Sequence, residues 1–390
     1  MCIRDRSAMD ATTSVALPPV AGLRCLSCGT LSAAALTYRC PQCGGILRVE
    51  RAMPVSGRWE RRDFVSDTVT LGEGETPLRE VRPSLLHPDF TGLLLLKDET
   101  RNPSGSFKDR LVAASMSRAL EMGVEGVICA SSGNAGAAVA CYAANAGIPA
   151  IIVCPESTPD GKVAQIAAYG ATFHREPGDY SRSFRKGQVL ATETGYANLT
   201  TTYLNAYGVD ALRLVGQEIA LALVDDTPDW VSIPTSSGPL VHGVYQGFAD
   251  HGAAMPRLVA AQSAGCAPIA SAHASGADAV SPWLNPVTVA SGISDPLAQY
   301  PEEGNLTLSL VRDTGGIGIA VPDADILVAM RDLARRAGLF SEPTGATSLA
   351  AMRRLYADGR LRDGDTVVCI ITGHGSKDYA AWGQVSLALS

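Results

Sequence analysis

At 390 residues the chain exceeds the usual size of one hydrophobic core, which predicts two core-bearing lobes with smaller attachments. Hydrophobic residues make up 46% and charged residues 18%, a globular balance that excludes a disordered or fibrous protein. The formal net charge of −7 excludes a general nucleic-acid binder, which needs a basic face to displace counterions, and leaves room only for a local basic pocket.

Residues 1–20 lack the apolar core of a signal peptide and are expected to be an unstructured leader, with Met9 available as an internal start. Residues 21–52 form a compact unit carrying Cys25-x-x-Cys28, then Cys40-x-x-Cys43 and Gly44-Gly45. Two thiol pairs at this spacing suit a zinc ribbon, in which four sulfurs surround a tetrahedral ion. Cys129, Cys141, Cys154, Cys266 and Cys369 instead stand singly in apolar runs, where a thiol acts as a small core residue. That distribution predicts a reduced, cytoplasmic protein. The charge run from Arg58 to Asp63 reads as solvated surface.

From about Thr68 short apolar runs alternate with helical segments. Strands are expected at Leu93–Leu96, Val127–Ala130, Ala150–Cys154, from Thr172, and at Trp230–Ile233, Arg257–Ala261 and Thr366–Ile371. Helices are expected at Asp109–Gly123, Ala135–Gly147, Gly161–Tyr169, Ala324–Gly338 and Gly345–Tyr356, with Asp323 as an N-cap and Gly338 as a C-terminal stop. The uncharged stretch Gly126–Pro155 is not a membrane span, because Ser131, Ser132, Gly133, Asn134, Asn145, Gly147 and Pro149 break it into strand, turn, helix and strand. The alternation predicts an α/β protein with largely parallel sheets.

Four loops stand where such strands end. Asn102-Pro103-Ser104-Gly105-Ser106-Phe107-Lys108-Asp109-Arg110 delivers a lysine to a helix start, where the helix dipole disfavours extra positive charge. A lysine so placed loses its proton more easily, as a Schiff-base nucleophile must. Ser131-Ser132-Gly133-Asn134-Ala135-Gly136 offers backbone N–H groups and hydroxyls to an anion, but lacks the glycine spacing and following acid of a dinucleotide fingerprint. Ser236, Ser237, Gly238, Pro239 and Leu240 suit a phosphate loop, although Pro239 removes one N–H donor. Thr372-Gly373-His374-Gly375 places a hydroxyl at the end of an apolar strand. Any one of these alone is an ordinary turn.

Together they resemble the fold-type-II pyridoxal-phosphate enzymes, the threonine synthase family most closely, from about Leu23 to Tyr379. Glu342-Pro343-Thr344-Gly345-Ala346, Ser376-Lys377-Asp378 and Gly72-Glu73-Gly74-Glu75-Thr76-Pro77-Leu78 share in the likeness. The resemblance implies a two-lobed, tryptophan synthase beta-like fold of open, mostly parallel sheets with helices on both faces. It implies a large cofactor domain over 53–114 and 206–390, and a small substrate-closing domain over 115–205. It implies pyridoxal 5′-phosphate as cofactor, bound through the Lys108 amine. Asn134 would bond the phenolic oxygen, Ser236, Ser237, Gly238 and Leu240 the phosphate, and Thr372 the pyridine nitrogen. Ser131 and Ser132 would take the substrate carboxylate and Arg213, in a loosely matching segment, a substrate phosphate. A structural zinc on Cys25, Cys28, Cys40 and Cys43 and a homodimer are further expectations. A neutral hydroxyl facing the pyridine nitrogen suits elimination and replacement better than transamination. The reaction implied is conversion of O-phosphohomoserine and water to threonine and phosphate. Alternatives are a threonine or serine dehydratase, a phosphoserine-using synthase, and a non-catalytic paralogue that only binds the cofactor.

Overall fold

The computed structural model describes residues 17–131, 133–224 and 226–387, with the side chains of 386–387 left aside. Most of the expected leader and all of Ser132 therefore lie outside the described residues.

The expected strands all form, and they assemble into two separate parallel sheets. The larger has six strands, in the order Ile317–Val321, Arg257–Ser263, Trp230–Pro234, Thr366–Ile371, Leu93–Asp98 and Leu78–Val81. All neighbours run parallel except Leu78–Val81, which pairs antiparallel at the edge. The smaller sheet, also parallel, has the order Thr172–Glu176, Ala150–Pro155, Val127–Ala130 and Ala197–Asn198. Val127–Ala130 and Thr366–Ile371 are buried at every residue, because helices cover both faces of a parallel sheet. The helix Asn134–Ala146 is built mainly of alanine and lies close on its strand. A Cβ added at Gly136 would stand 2.6 Å from the Ile152 side chain, so only glycine permits this approach.

Ahead of these bodies, Leu31–Ser32, Gly22–Cys25 and Leu47–Glu50 form a small antiparallel sheet. Its core residues Leu23, Cys25, Cys40, Leu47 and Val49 share one cluster with Ala206 and Tyr207 of the body. Among the described residues, no helix is long and apolar enough to cross a membrane.

The strands Leu78–Val81, Ala197–Asn198 and Ile317–Val321 are not among the expected ones, and two further details differ. Asp323 is the first residue of the helix Asp323–Ala337, and Pro322 is the cap. The Asp323 carboxylate instead accepts hydrogen bonds from the Ser263 and Thr288 hydroxyls and from Val289 N–H, tying a neighbouring loop to the sheet. The helix Tyr180–Thr194, which buries Ser181, Ser183, Phe184 and Gly187, is not among the expected elements.

The helix Lys108–Glu121 is anchored by its third residue. The Arg110 guanidinium, fully buried, donates from Nε and one terminal nitrogen to Glu99 at 2.8 Å each, and reaches Glu218 at 2.6 and 2.7 Å. Lys97 Nζ reaches Glu218 at 2.5 Å and the Thr76 carbonyl at 2.6 Å, so two cations and two carboxylates share one buried site. Arg110 draws the Glu218 carboxyl down to about 2 against the opposing effect of burial. Removing one partner of such a group strands the opposite charges. Arg110→Leu is therefore expected to cost about 3–5 kcal/mol in urea unfolding. Much of that loss should be recovered on acidification towards the pH at which the stranded carboxylates protonate. A loss that does not lessen on acidification would contradict this account.

Candidate active site

Four chain segments converge where parallel strands end at their carboxyl edges, the usual place for ligands in open α/β sheets. Lys108 follows the strand Leu93–Asp98, Ser131 and Asn134 follow Val127–Ala130, Ser236–Leu240 follow Trp230–Pro234, and Thr372 follows Thr366–Ile371. All of them line one cleft of about 820 Å³. The lysine loop is stitched to the Thr372 loop by Phe107 N–H to Thr372 O at 3.1 Å and His374 N–H to Gly105 O at 2.9 Å. Asp109 holds the same loop from within, its carboxylate accepting Ser104 N–H at 2.9 Å. Lys108 is thereby fixed at the helix start rather than carried on a loose loop.

The Lys108 amine donates to Thr201 Oγ1 at 2.8 Å and lies 4.8 Å from the Phe107 ring centre. Burial brings its pKa down to about 8, outweighing the attraction of the Asp295 carboxylate. The amine is thus available as a nucleophile near neutral pH.

Two buried oxygens in the cleft lack a hydrogen-bond partner, Thr372 Oγ1 and Asn134 Oδ1. Buried polar atoms are rarely left so unless a water, an ion or a ligand completes them. The Asn134 amide is held from behind, donating to Glu342 Oε1, and Glu342 is paired with Lys162 Nζ at 3.0 Å. The phosphate end is equally prepared. Gly238 has φ +110°, and a Cβ there would fall 1.9 Å from Thr307 Oγ1. Thr307 Oγ1 donates to the Ser237 carbonyl at 2.5 Å and Tyr203 OH to the Gly238 carbonyl at 3.0 Å. With both carbonyls engaged by the body, the amides entering the helix Pro239–His251 are left for an anion. Pro239 occupies the first helical position, where an N–H is dispensable. The Thr372 hydroxyl fits the ring nitrogen of pyridoxal phosphate, and the loop amides fit its phosphate. At the phenolic oxygen the donor would be Asn134 Nδ2, which also bonds Glu342, and not its unpartnered Oδ1.

The other expected residues fall differently. Ser131 lines the cleft, but its hydroxyl oxygen already accepts N–H groups of Gly133 and Gly136 at 2.9 Å, leaving only its proton to donate. Arg213 is not in the cleft. It pairs with Asp210 and, at 2.7 Å, with Asp250, and lies over the Trp59 ring, so it serves packing between the body and the segment after the cysteine unit. Cys25, Cys28, Cys40 and Cys43 do converge, with all four sulfurs within 4.8 Å of one another. Neighbouring Sγ atoms stand 3.4 and 3.7 Å apart, close to the roughly 3.8 Å edge of a tetrahedral zinc–thiolate site. Ser27 and Cys28 N–H groups also point at Cys25 Sγ, as they do towards a metal-bound thiolate. The donor set fits zinc.

Sequence reasoning assigned no role to Thr201, Glu342, Lys162 or Asp295. Glu342 opens a motif that signalled the family, whereas Thr201 and Asp295 sit in segments with no local pattern. Asp295 lines the cleft, and burial raises its carboxyl to about 6 despite bonds from Leu297 N–H and Tyr300 OH.

Comparison with known proteins agrees with this geometry. Residues 69–373 match the family model described as pyridoxal-phosphate dependent enzyme. The threonine synthase of Methanosarcina acetivorans is 33% identical over 378 residues, covering 91% of this chain and 92% of that protein. That of Methanocaldococcus jannaschii is 32% identical, with the same two coverages. Among solved structures, maize serine racemase has a TM-score of 0.67 at 26% identity, covering 80% of this chain and 92% of that one. The fungal L-serine ammonia-lyase from Rhizomucor miehei has a TM-score of 0.69 at 21% identity, covering 80% and 97%, a likeness of fold. With its match spanning most of the chain and its lysine, amide, hydroxyl and phosphate loop gathered in one cleft, the protein belongs to the fold-type-II pyridoxal-phosphate-dependent enzymes, in the threonine synthase group.

Proposed function

We propose that the chain is a threonine synthase, converting O-phosphohomoserine and water to threonine and phosphate. The observation that carries this reading is the buried amine of Lys108 in one cleft with the uncompensated Thr372 hydroxyl and the Asn134 amide, in a chain whose relatives bear that name. When bound, pyridoxal phosphate supplies an electron sink for carbanions at the substrate α-carbon. Lys108 would hold it through its amine, and that amine, when free, would take the substrate's α-proton. Thr372 offers a hydroxyl to the ring nitrogen and Asn134 an amide to the phenolic oxygen. Ser236, Ser237, Gly238 and Leu240 hold the phosphate, and the Ser131 hydroxyl proton meets the substrate carboxylate, a role expected of Ser132 as well, which lies outside the described residues. The small lobe over 115–205 closes on the substrate against the large domain over 53–114 and 206–390. A cytoplasmic homodimer is the accompanying expectation, to be checked by sedimentation.

A second reading has one observation in its favour. Among the described residues lining the cleft, Lys108 is the sole lysine or arginine, and Asp295 is mostly ionised at neutral pH. A substrate phosphate carries about −1.5 to −2 charge there and would rely on hydroxyls and helix dipoles alone. An uncharged β-hydroxyl, as in serine or threonine, avoids this cost and favours dehydration to a 2-oxo acid and ammonia. Incubation with O-phosphohomoserine, and separately with L-threonine and L-serine, distinguishes the two. Equal yields of phosphate and threonine are expected; a 2-oxo acid with ammonia, and no phosphate release, would replace the first reading with the second.

Two further outcomes follow from the electrostatics. Covalent capture of pyridoxal phosphate by the cofactor-stripped protein should speed up with pH to a plateau, with its midpoint near the Lys108 value of about 8. A midpoint at the ordinary lysine value of 10.5 would refute the desolvated amine. Asp295→Asn removes a negative charge facing the substrate phosphate. It should lower KM for O-phosphohomoserine on the order of three- to tenfold. A rise in KM would show that Asp295 binds the substrate rather than opposing it.

A further inference from the structure

We propose that the cysteine-rich unit is a positioning element for the cofactor's phosphate, acting through Tyr38 and Arg39, so that metal on its four thiols tightens the hold on the cofactor. This rests on the reading of Ser236–Leu240 as the phosphate loop.

Tyr38 and Arg39 directly precede Cys40, and both leave the unit for the catalytic body. Arg39 reaches Glu302 at 2.8 Å and stands 3.8 Å from Glu303, whose side chain is fully buried. Glu303 in turn accepts Tyr203 N–H at 3.2 Å, and its backbone carbonyl shares the Thr307 hydroxyl with the Ser237 carbonyl. One Glu303 oxygen has no hydrogen-bond partner, and burial raises this carboxyl to about 8, opposed first by the Tyr203 N–H bond and then by the charge of Arg39. Tyr203 is the residue whose hydroxyl holds the Gly238 carbonyl, and it packs with Ile46 of the cysteine-rich unit in a separate small cluster. A short path of charge and hydrogen bonds therefore runs from Cys40 through Arg39 and Glu303 to Ser237 and Gly238.

A second path starts one residue earlier. The Tyr38 hydroxyl accepts Asn198 N–H at 2.7 Å, and Asn198 Oδ1 accepts the N–H and hydroxyl of Thr200. Thr200 Oγ1 receives Ala130 N–H, and the adjoining Thr201 receives the Lys108 amine. Adjacent residues of the unit thus brace both ends of the cofactor site.

The unit itself is poorly equipped to stand alone. Its sheet has strands of two to four residues, and its core borrows Ala206 and Tyr207 from the body. Units this small ordinarily depend on a metal for their folded geometry. Position of Tyr38 and Arg39 then follows metal occupancy, and linkage makes the effect reciprocal.

The test uses the full chain stripped of cofactor, with pyridoxal phosphate and phosphate-free pyridoxal titrated separately by absorbance. Arg39→Ala, with native far-UV circular dichroism, is expected to weaken pyridoxal phosphate on the order of tenfold while leaving pyridoxal unchanged. Arg39→Lys should restore most of the difference. Chelation of metal from the wild type should produce the same selective loss, and should add little in Arg39→Ala. A wild type that prefers pyridoxal phosphate, with that preference intact in folded Arg39→Ala, would overturn the inference alone. A wild type that binds the two compounds equally would overturn the phosphate-loop reading, and the inference with it.

Discussion

The buried fork of Arg110 on Glu99 and Glu218 is the constraint on which the site depends. Its four charge-assisted contacts join three elements: the end of the strand Leu93–Asp98, the start of the helix Lys108–Glu121, and the helix Arg213–Ala222. A guanidinium suits this place because its planar donors meet two carboxylates at once. Lys108 lies two residues away, so its backbone inherits that rigidity. A nucleophile held by a neutralised buried network can keep a depressed pKa without a neighbouring cation to depress it. Here burial alone suffices.

The rest of the cleft follows from the parallel sheets. Strands that run the same way bring their carboxyl ends to one edge, and the loops there come from distant parts of the sequence. Positions as far apart as Lys108, Asn134, Ser236 and Thr372 become neighbours through this topology. Small residues then allow close approach: Gly136 lets a helix settle on its strand, and Gly238 turns amides towards the phosphate position. Neutral groups dominate the ring's surroundings, with Thr372 at one end and Asn134 at the other. On the proposed placement of the cofactor, this arrangement would temper its electron demand and match elimination and replacement chemistry.

Much of this was legible beforehand, for identifiable reasons. Val127–Ala130 and, after Thr366, residues 367–371 are apolar throughout because helices cover both faces, and such runs stand out. The lysine, amide and hydroxyl motifs lie at strand ends flanked by glycine and serine, where turn chemistry leaves a compositional mark. The paired cysteines announced their convergence by spacing alone. What stayed hidden depends on tertiary pairing. Asp210, three residues before Arg213, is a partner the sequence itself offers, but nothing local shows that Asp250 will engage Arg213 away from the cleft. Asp295 and Thr201 enter the cleft from irregular segments, and Asp323 looks like a cap because its bonds to Ser263, Thr288 and Val289 lie far away in sequence.

Lys108 is not the only lysine with a claim on the cofactor. Lys162 is fully buried against Glu342, beside the loop that carries Asn134, and Lys377 is buried with its pKa brought down to about 8. Both are already engaged, Lys162 by Glu342 and Lys377 by Gln165 at 2.9 Å, whereas Lys108 faces the cleft with only a hydroxyl as its partner. Borohydride reduction of the cofactor-loaded protein, followed by peptide mapping, decides among them. Pyridoxyl label is expected on the peptide containing Lys108 and nowhere else; label on Lys162 or Lys377 would contradict the assignment of Lys108 as the cofactor's lysine.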